Sequence, residues 1–257
     1  MAAETVLITG ASSGIGRELA RYFAGAGSDL VLVARREARL RELAQELMSR
    51  YKMKVHVLPK DLSIPNAVYE IEEELRKAGI QVDVLVNDAG FGDLGHFTSL
   101  GFDRQMKMVQ VNVAAVTELT RRFLPAMIER RRGGILNVAS TAAFQPGPMM
   151  SVYYATKAYV LHFSEGLAEE LNGTDVSVTC LCPGPTITEF GADSHMDVTL
   201  AFRLGAMSAV RVAQAGYEGF RRGKVIVVPG LGNKLMAFSV RTGPRFLVRK
   251  IVKLLHQ

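Results

Sequence analysis

The sequence lacks the features that typify membrane-embedded, secreted or metal-dependent proteins. No apolar run approaches the ~20 residues that a membrane-spanning helix requires. The chain begins MAAETVLITG, which leads almost directly into a strand pattern, so no secretory leader is expected. Its two cysteines, Cys180 and Cys182, alternate along an apparent strand, a poor geometry for a mutual disulfide, and their spacing matches no metal motif. We therefore expect a cytoplasmic protein with reduced thiols and no bound metal.

What the sequence does contain is typical of one globular α/β domain. The chain has 257 residues, 48% of them hydrophobic and 22% charged, so it can bury a full core. Seven β-branched segments alternate with helical patterns: TVLIT, DLVLVAR, KVHVLP, VDVLVN, GGILNVAS, DVSVTCLC and KVIVVPG. This rhythm predicts a doubly wound (Rossmann) parallel sheet of seven strands with helices on both faces, in a single domain spanning 1–257.

Three glycines, Gly10, Gly14 and Gly16, follow the first strand and precede a helical segment. A tight strand-to-helix turn lets backbone N–H groups and the positive end of the helix face a pyrophosphate. The spacing is Gly-x-x-x-Gly-x-Gly, and close packing of helix on strand is an alternative reason for glycine here. The turn therefore indicates a dinucleotide site only in combination with other motifs.

The end of the second strand indicates which dinucleotide would bind. Arg35 and Arg36 stand where an acidic residue would hydrogen-bond a ribose diol, and no acid occurs nearby before Glu37. An arginine at this point accommodates a 2′-phosphate instead. The pattern favours NADP over NAD.

A tyrosine and a lysine, Tyr153 and Lys157, are four residues apart in a predicted helix, so their side chains share one face. An ammonium beside a phenol favours the phenolate, so we expect the pKa of Tyr153 to lie below its usual value of ~10. Ser140 closes the fifth strand, at the edge where open parallel sheets bind ligands. A tyrosine in this setting can give a proton to a carbonyl oxygen or take one from an alcohol. A solvated Tyr–Lys pair is the alternative, although Tyr154 has no lysine at this spacing.

Taken in order, these motifs resemble those of the short-chain dehydrogenase/reductase family over nearly the whole chain. The residues that match its catalytic four are Asn112, Ser140, Tyr153 and Lys157. The residues that match its cofactor-binding motifs are Gly10, Ser12, Ser13, Gly14, Ile15, Gly16, Arg35, Arg36, Asp61, Leu62, Asn87, Ala89, Gly90, Tyr153, Lys157, Pro183, Gly184, Thr186 and Thr188. Asp88 replaces the second asparagine of the family's Asn-Asn-Ala-Gly, so we expect one sheet-stabilising contact to differ and the chemistry to be retained.

The resemblance implies an NADP-dependent oxidoreductase that reduces a ketone or aldehyde to an alcohol, with hydride supplied by the cofactor. It implies that Tyr153 is the general acid, that Ser140 orients the substrate oxygen and that Lys157 holds the nicotinamide ribose. Asn112 would fix a water that links Lys157 to solvent. A homodimer or homotetramer that acts on a small molecule, with no nucleic-acid partner, is expected. The alternative is an NADP-binding sensor or scaffold protein without significant turnover, against which the complete Ser–Tyr–Lys set argues.

Apolar residues cluster in the segments expected to face the substrate. They are Phe91, Phe144, Met149, Met150, Phe190 and Met196. This cluster favours a hydrophobic carbonyl, such as a fatty-acyl, steroid-like or aromatic ketone. Filling gaps in the core is an equal alternative for the two methionines that precede the catalytic helix. We also expect a substrate lid near 186–206.

The net charge of +6 originates at the end of the chain, where eleven Lys or Arg follow residue 202 and Glu218 is the single acid. Pro244 suits the first turn of a helix, and RFLVRKIVKLLHQ predicts a basic amphipathic helix near 244–255. Its four charged residues fall in one arc, and most of its apolar residues cover the opposite side. Either the apolar stripe packs on its own domain or a second subunit, or the helix docks peripherally on anionic lipid.

Overall fold

The computed structural model describes residues 3–194 and 205–256 and confirms the predicted parallel sheet. Its strands are β1 Thr5–Thr9, β2 Asp29–Ala34, β3 Val55–Pro59, β4 Val84–Asn87, β5 Gly133–Val138, β6 Val176–Leu181, β7 Thr186–Ile187, β8 Met207–Ser208 and β9 Ile226–Val227. Seven of them form the main sheet in the order β3-β2-β1-β4-β5-β6-β9, and β7 and β8 pair separately. The order reverses between β1 and β4, and a doubly wound sheet binds its ligand at such a point.

The helices are α1 Gly14–Gly25, α2 Glu37–Arg50, α3 Ala67–Lys77, α4 Phe102–Val109, α5 Val116–Glu129, α6 Ser151–Glu170, α7 Glu189–Asp193, α8 Ala209–Arg221, α9 Leu231–Thr242 and α10 Arg245–Leu255. No helix in these described parts of the chain combines the length and apolar character needed to cross a membrane.

The sheet has a separate core on each face, which explains why its central strands are apolar without alternation. Along β1, Val6 and Ile8 pack into a core that includes α1 and α2. Leu7, between them, packs into the opposite core with α3 and α5. Successive side chains of a strand point to opposite faces, so a strand buried on both sides needs apolar residues throughout.

Several elements differ from the expected ones. The seventh strand of the sheet, β9, is only two residues long and pairs with Cys180 and Leu181 of β6. The helices α8 and α9 were not among the predicted elements. A π-helical turn, Gln110–Ala115, joins α4 to α5. The proposed lid includes residues 195–204, which lie outside the described residues, so the lid stays a prediction.

Candidate active site

The turn between β1 and α1 is built on glycines that larger residues could not replace. Gly10 and Gly14 adopt left-handed backbone conformations, with φ of 71° and 55°. A Cβ on Gly16 would lie 2.5 Å from Asp88 Oδ2 and 2.8 Å from the carbonyl oxygen of Gly10. The N-cap, Ser13, does not cap α1 with its own side chain. The first N–H groups of α1 are therefore suited to an anion such as a pyrophosphate.

A cleft of about 1110 Å³ lies along the carboxyl ends of the parallel strands, beside this turn. It brings together nearly all the predicted site residues; those that do not line it are Gly16, Asn87 and Asn112. Asn87 is buried behind the cleft wall and donates from Nδ2 to Asn137 Oδ1 at 2.8 Å. Its place in the structure is a polar link between β4 and β5.

Arginines surround one end of the cleft, where β2 gives way to α2. Both Arg35 and Arg36 line it, and Arg36 donates to Ser12 Oγ at 3.2 Å. Glu189 of α7 forms ion pairs with Arg36 at 2.6 Å and with Arg39 at 2.5 Å. Burial would raise the pKa of Glu189, but these two guanidinium groups hold it below its ordinary value. Sequence reasoning missed Glu189 because it is about 150 residues from its partners in the chain.

Asp88 lies on the cleft wall between the glycine turn and Lys157. Burial raises the pKa of its carboxyl from an ordinary value of 3.8 to about 7. The positive charge of Lys157 and the nearby Gly16 N–H act in the opposite direction, but burial outweighs them. Asp88 therefore places a titratable group beside the glycine turn.

Ser140, Tyr153 and Lys157 converge at the carboxyl end of β5, as predicted from their positions in the chain. The Ser140 hydroxyl accepts from the N–H of Ala142 at 3.1 Å, which begins a short 3₁₀ turn. Tyr153 is buried, and its ring packs 5.4 Å from that of Phe190 between centroids. Helix α6 carries both the tyrosine and the lysine on its buried face.

The predicted lowering of the Tyr153 pKa is wrong in this structure, because burial of the phenol raises it to about 12. The neighbouring Ser140 hydroxyl offsets part of that rise. The ammonium of Lys157 donates to the carbonyl oxygen of Val138 at 2.8 Å and lies 5.9 Å from the centre of the tyrosine ring. Burial also lowers the pKa of Lys157, while the charge of Asp88 raises it. The raised pKa of Tyr153 therefore reflects its loss of water on burial, which the four-residue spacing does not encode.

Asn112 lies in the π-helical turn, a kind of irregularity that is frequent at functional sites. Its Oδ1 accepts from the N–H of Phe91 at 3.2 Å, and its Nδ2 donates to the Phe91 carbonyl oxygen at 3.0 Å and to Thr156 Oγ1 at 3.1 Å. A Cβ on Gly90 would lie 3.1 Å from Asn112 Oδ1 and 3.3 Å from Lys157 Nζ. Asn112 thus ties the loop after β4 to α6, and its role in fixing a water stays a prediction.

Only some of the apolar residues expected to face the substrate line the cleft within the described part of the chain. Phe91 and Phe190 line the cleft. Met150 is buried and packs with Tyr153 and Tyr154, so it belongs to the core. Neither Phe144 nor Met149 lines the cleft, and Met196 lies outside the described residues.

The helices α9 and α10 form a wall of the cleft that sequence reasoning missed. Their apolar contribution includes Met236, Val240, Leu247 and Ile251. The amphipathic pattern of α10 was recognised, but no local signal showed that part of its apolar stripe faces a cleft.

A buried histidine fastens the end of α10 beside the catalytic helix. Its Nδ1 lies 2.7 Å from the carbonyl oxygen of Pro148, which can only accept a hydrogen bond, so Nδ1 carries the proton. Nε2 of the same residue, His256, then accepts from Tyr154 Oη at 2.9 Å. Burial lowers the pKa of His256 and favours this neutral form, although the bond to Pro148 opposes the effect.

Among solved structures with similar folds, one contains NADPH and another contains NAD. A short-chain dehydrogenase from Sphingobium yanoikuyae in complex with NADPH is 35% identical, with a TM-score of 0.84 over 93% of each chain. The bulky-bulky ketone specific alcohol dehydrogenase from Comamonas testosteroni is 30% identical, with a TM-score of 0.80 over 95% of this chain and 94% of that one. A short-chain dehydrogenase/reductase from Burkholderia phymatum in complex with NAD is 25% identical, with a TM-score of 0.83 over 93% of this chain and 92% of that one.

Curated relatives include both a protein named as a reductase and a protein named as inactive. Sulfoacetaldehyde reductase 2 of Chromohalobacter salexigens is 40% identical over 73% of this chain and 74% of its own. A short chain dehydrogenase of Pseudocercospora fijiensis is 39% identical over 74% of this chain and 62% of its own length. The human inactive hydroxysteroid dehydrogenase-like protein 1 is 31% identical over 74% of this chain and 58% of its own.

The family model described as short chain dehydrogenase matches residues 4–198, a range that contains the glycine turn, the Ser–Tyr–Lys set and the segment after β6. The chain therefore belongs to the short-chain dehydrogenase family of oxidoreductases.

Proposed function

We propose that this protein is an NADP(H)-dependent reductase that converts a hydrophobic ketone or aldehyde to an alcohol. The observation that carries the proposal is the meeting of Ser140, Tyr153 and Lys157 in the same cleft as the glycine turn. That arrangement unites a proton donor, a group to orient a carbonyl oxygen and a cradle for a dinucleotide.

The residues present fit a dinucleotide that carries a 2′-phosphate. Gly10 and Gly16 let the turn pack closely against Asp88 and Ala89. The first N–H groups of α1, which the Ser13 side chain does not cap, are available to a ligand's phosphates. Arg35 and Arg36 line the cleft where a 2′-phosphate would lie. Asp61, whose Oδ1 accepts from the N–H of Ser63 at 2.9 Å, would contact the adenine with Leu62. Because relatives bind either NADPH or NAD, the choice of NADP depends on the two arginines.

In the proposed mechanism the bound cofactor supplies the hydride that reduces the carbonyl carbon. Tyr153 Oη donates its proton to the carbonyl oxygen, and the high pKa keeps the phenol in the neutral form that can donate. The Ser140 hydroxyl orients the same oxygen. The ammonium of Lys157, held by the Val138 carbonyl, stabilises the phenolate until it recovers a proton from solvent.

A hydrophobic substrate suits the side chains that line the rest of the cleft. Phe91 and Phe190 lie at one side, and Leu247 and Ile251 of α10 lie at another. Burying apolar surface there contributes about 25 cal/mol per Å², so a substrate with an apolar body gains affinity from this wall. The Comamonas relative is named for its specificity toward bulky-bulky ketones, which supports a substrate of this kind.

The test is turnover of a panel of apolar ketones and aldehydes with NADPH, followed by nicotinamide absorbance. Tyr153→Phe should lower turnover by about 10²-fold or more, because it removes the proton donor, and should leave NADPH affinity nearly unchanged. Tyr159→Phe is the matched control, since Tyr159 is partly exposed on the same helix and bonds Thr117 away from the cleft. Retention of most activity by Tyr153→Phe would contradict the mechanism. NADPH binding without turnover of any carbonyl would favour the alternative, an NADP-binding sensor or scaffold protein.

A further inference from the structure

Helix α9 carries an apolar ridge that faces away from the protein. Leu231, Leu235 and Phe238 are 74%, 62% and 68% exposed. At 100° per residue they fall within an arc of about 60° on one side of the helix. The buried residue of this helix, Ala237, lies on the opposite side.

The ridge is separate from the active-site cleft. The side of α9 that lines the cleft presents Met236 and Val240, whereas the ridge residues are not among the cleft residues. Contiguous exposed apolar residues on one helix face are unusual on a soluble monomer and indicate an interaction surface.

The charge of α9 and α10 identifies the kind of partner that these two helices fit. After Glu218 the chain contains no acidic residue. The basic residues of α9 and α10 are all exposed: Lys234, Arg241, Arg245, Arg249, Lys250 and Lys253. Within residues 3–194 and 205–256, none of these six forms an ion pair with a carboxylate. Such a surface complements a partner that is both apolar and anionic.

A second copy of this chain fits the surface less well. In a twofold dimer the same patch meets itself, so Lys234 and Arg241, which are on the same helix as the ridge, would lie near the same two cations of the other copy. Like charges at an interface disfavour association. An anionic bilayer offers the opposite charge at its surface and an apolar interior for Leu231, Leu235 and Phe238.

We propose that α9 and α10 dock this protein peripherally on anionic lipid, with the α9 ridge inserted and the basic residues of both helices at the headgroups. The docked helices are the same two that form the apolar wall of the cleft. Docking therefore places that wall of the cleft near the membrane, where an apolar carbonyl compound would concentrate. The docking itself requires neither cofactor nor turnover, so its test is independent of the proposed activity.

The test is flotation of the full-length protein with vesicles of phosphatidylcholine alone or mixed with phosphatidylserine, at low and high salt. The wild type should float with the phosphatidylserine vesicles at low salt, and binding should fall at high salt as the charges are screened. Leu235→Ser/Phe238→Ser should weaken the partition coefficient by about tenfold or more, through lost apolar burial. Its control is Met48→Ser/Ile64→Ser, two residues that are similarly exposed elsewhere on the molecule.

A second pair of variants tests the charge independently of the ridge. Lys234→Gln/Arg241→Gln should weaken binding by about 25-fold, since each basic residue near an anionic surface contributes about fivefold. Lys52→Gln/Lys54→Gln removes the same charge from another surface and should bind like the wild type. Melting temperature and NADPH affinity, measured for every variant, show that each remains folded.

Three outcomes would overturn the proposal. The first is no flotation of the wild type at low salt. The second is flotation that neither the ridge nor the charge variant weakens. The third is a dimer in light scattering that Leu235→Ser/Phe238→Ser dissociates, without vesicle binding, which would assign the ridge to contact between two copies.

Discussion

Asp88 offers a test of whether burial controls the electrostatics of this site. The carboxyl lies beside Gly10 and Gly16, and burial raises its pKa from 3.8 to about 7. Between these two values the folded state holds a proton that the unfolded state has lost. The stability associated with that proton is present below pH 3.8 and is lost as the pH rises to about 7. Asp88→Asn keeps the shape of the protonated carboxyl and cannot ionise, so its stability should not fall as the pH rises through 7.

The expected size of the effect follows from the shift. Each unit of difference between the folded and unfolded pKa of Asp88 corresponds to 1.36 kcal/mol of unfolding free energy, so the rise from 3.8 to about 7 corresponds to about 4 kcal/mol at pH 8. Asp88 retains partial exposure to the cleft, and solvent there reduces the penalty. We expect Asp88→Asn to raise the free energy of unfolding at pH 8 by about 1–2 kcal/mol.

The measurement is urea unfolding of the wild type and Asp88→Asn at pH 5, 6, 7 and 8, at constant ionic strength. The stability gain of the variant should increase with pH and level off above pH 7. Asp103→Asn, which removes an exposed carboxylate at the rim of the same cleft, is the matched control. An equal difference between Asp88→Asn and the wild type at pH 5 and pH 8 would refute the argument from burial.

Three further variants test the proposed cofactor end and the proposed catalytic end of the cleft. Glu189→Gln should tighten NADPH binding by about two- to fivefold and leave NADH binding unchanged, because a partly exposed ion pair worth about 1 kcal/mol no longer occupies Arg36. Arg36→Ala should weaken NADPH binding and leave NADH binding unchanged. Equal effects on the binding of both cofactors in calorimetric titration would contradict the 2′-phosphate assignment. Gly92→Ala should lower kcat with little change in NADPH affinity. The added Cβ would lie 3.0 Å from Phe190 and 3.2 Å from Tyr153, so it should displace the phenol. A wild-type kcat in this variant would show that the packing around Tyr153 can adapt.

The sheet could be predicted because its information is local and repeated. Each central strand is a short β-branched run, and the helices between strands allow only parallel pairing through crossovers. The site residues at the ends of β1, β2, β4 and β5 could be placed for the same reason, since parallel strands present their carboxyl ends at one edge. The ends of the seventh strand were harder to predict. Seven residues, KVIVVPG, have strand character, but only Ile226 and Val227 find a partner in β6.

The parts that could not be predicted depend on contacts between distant segments. Glu189 pairs with arginines at the start of the chain, and His256 bonds Tyr154 from the far end. Neither residue has a sequence neighbour that signals its partner. Helix α9 was missed because its outer face carries exposed leucine and phenylalanine, so it does not show the polar face expected of a surface helix.

The error over Tyr153 has a physical cause that applies to other sites of this kind. The spacing of a tyrosine and a lysine in a helix predicts that the two are close, and they are. It does not predict how much water each loses, and desolvation raises the pKa of the acid and lowers that of the base. The raised pKa of Tyr153 favours the neutral phenol over the phenolate. At neutral pH the buried Tyr153 therefore holds its proton, and the protonated phenol is the form that the proposed carbonyl reduction requires.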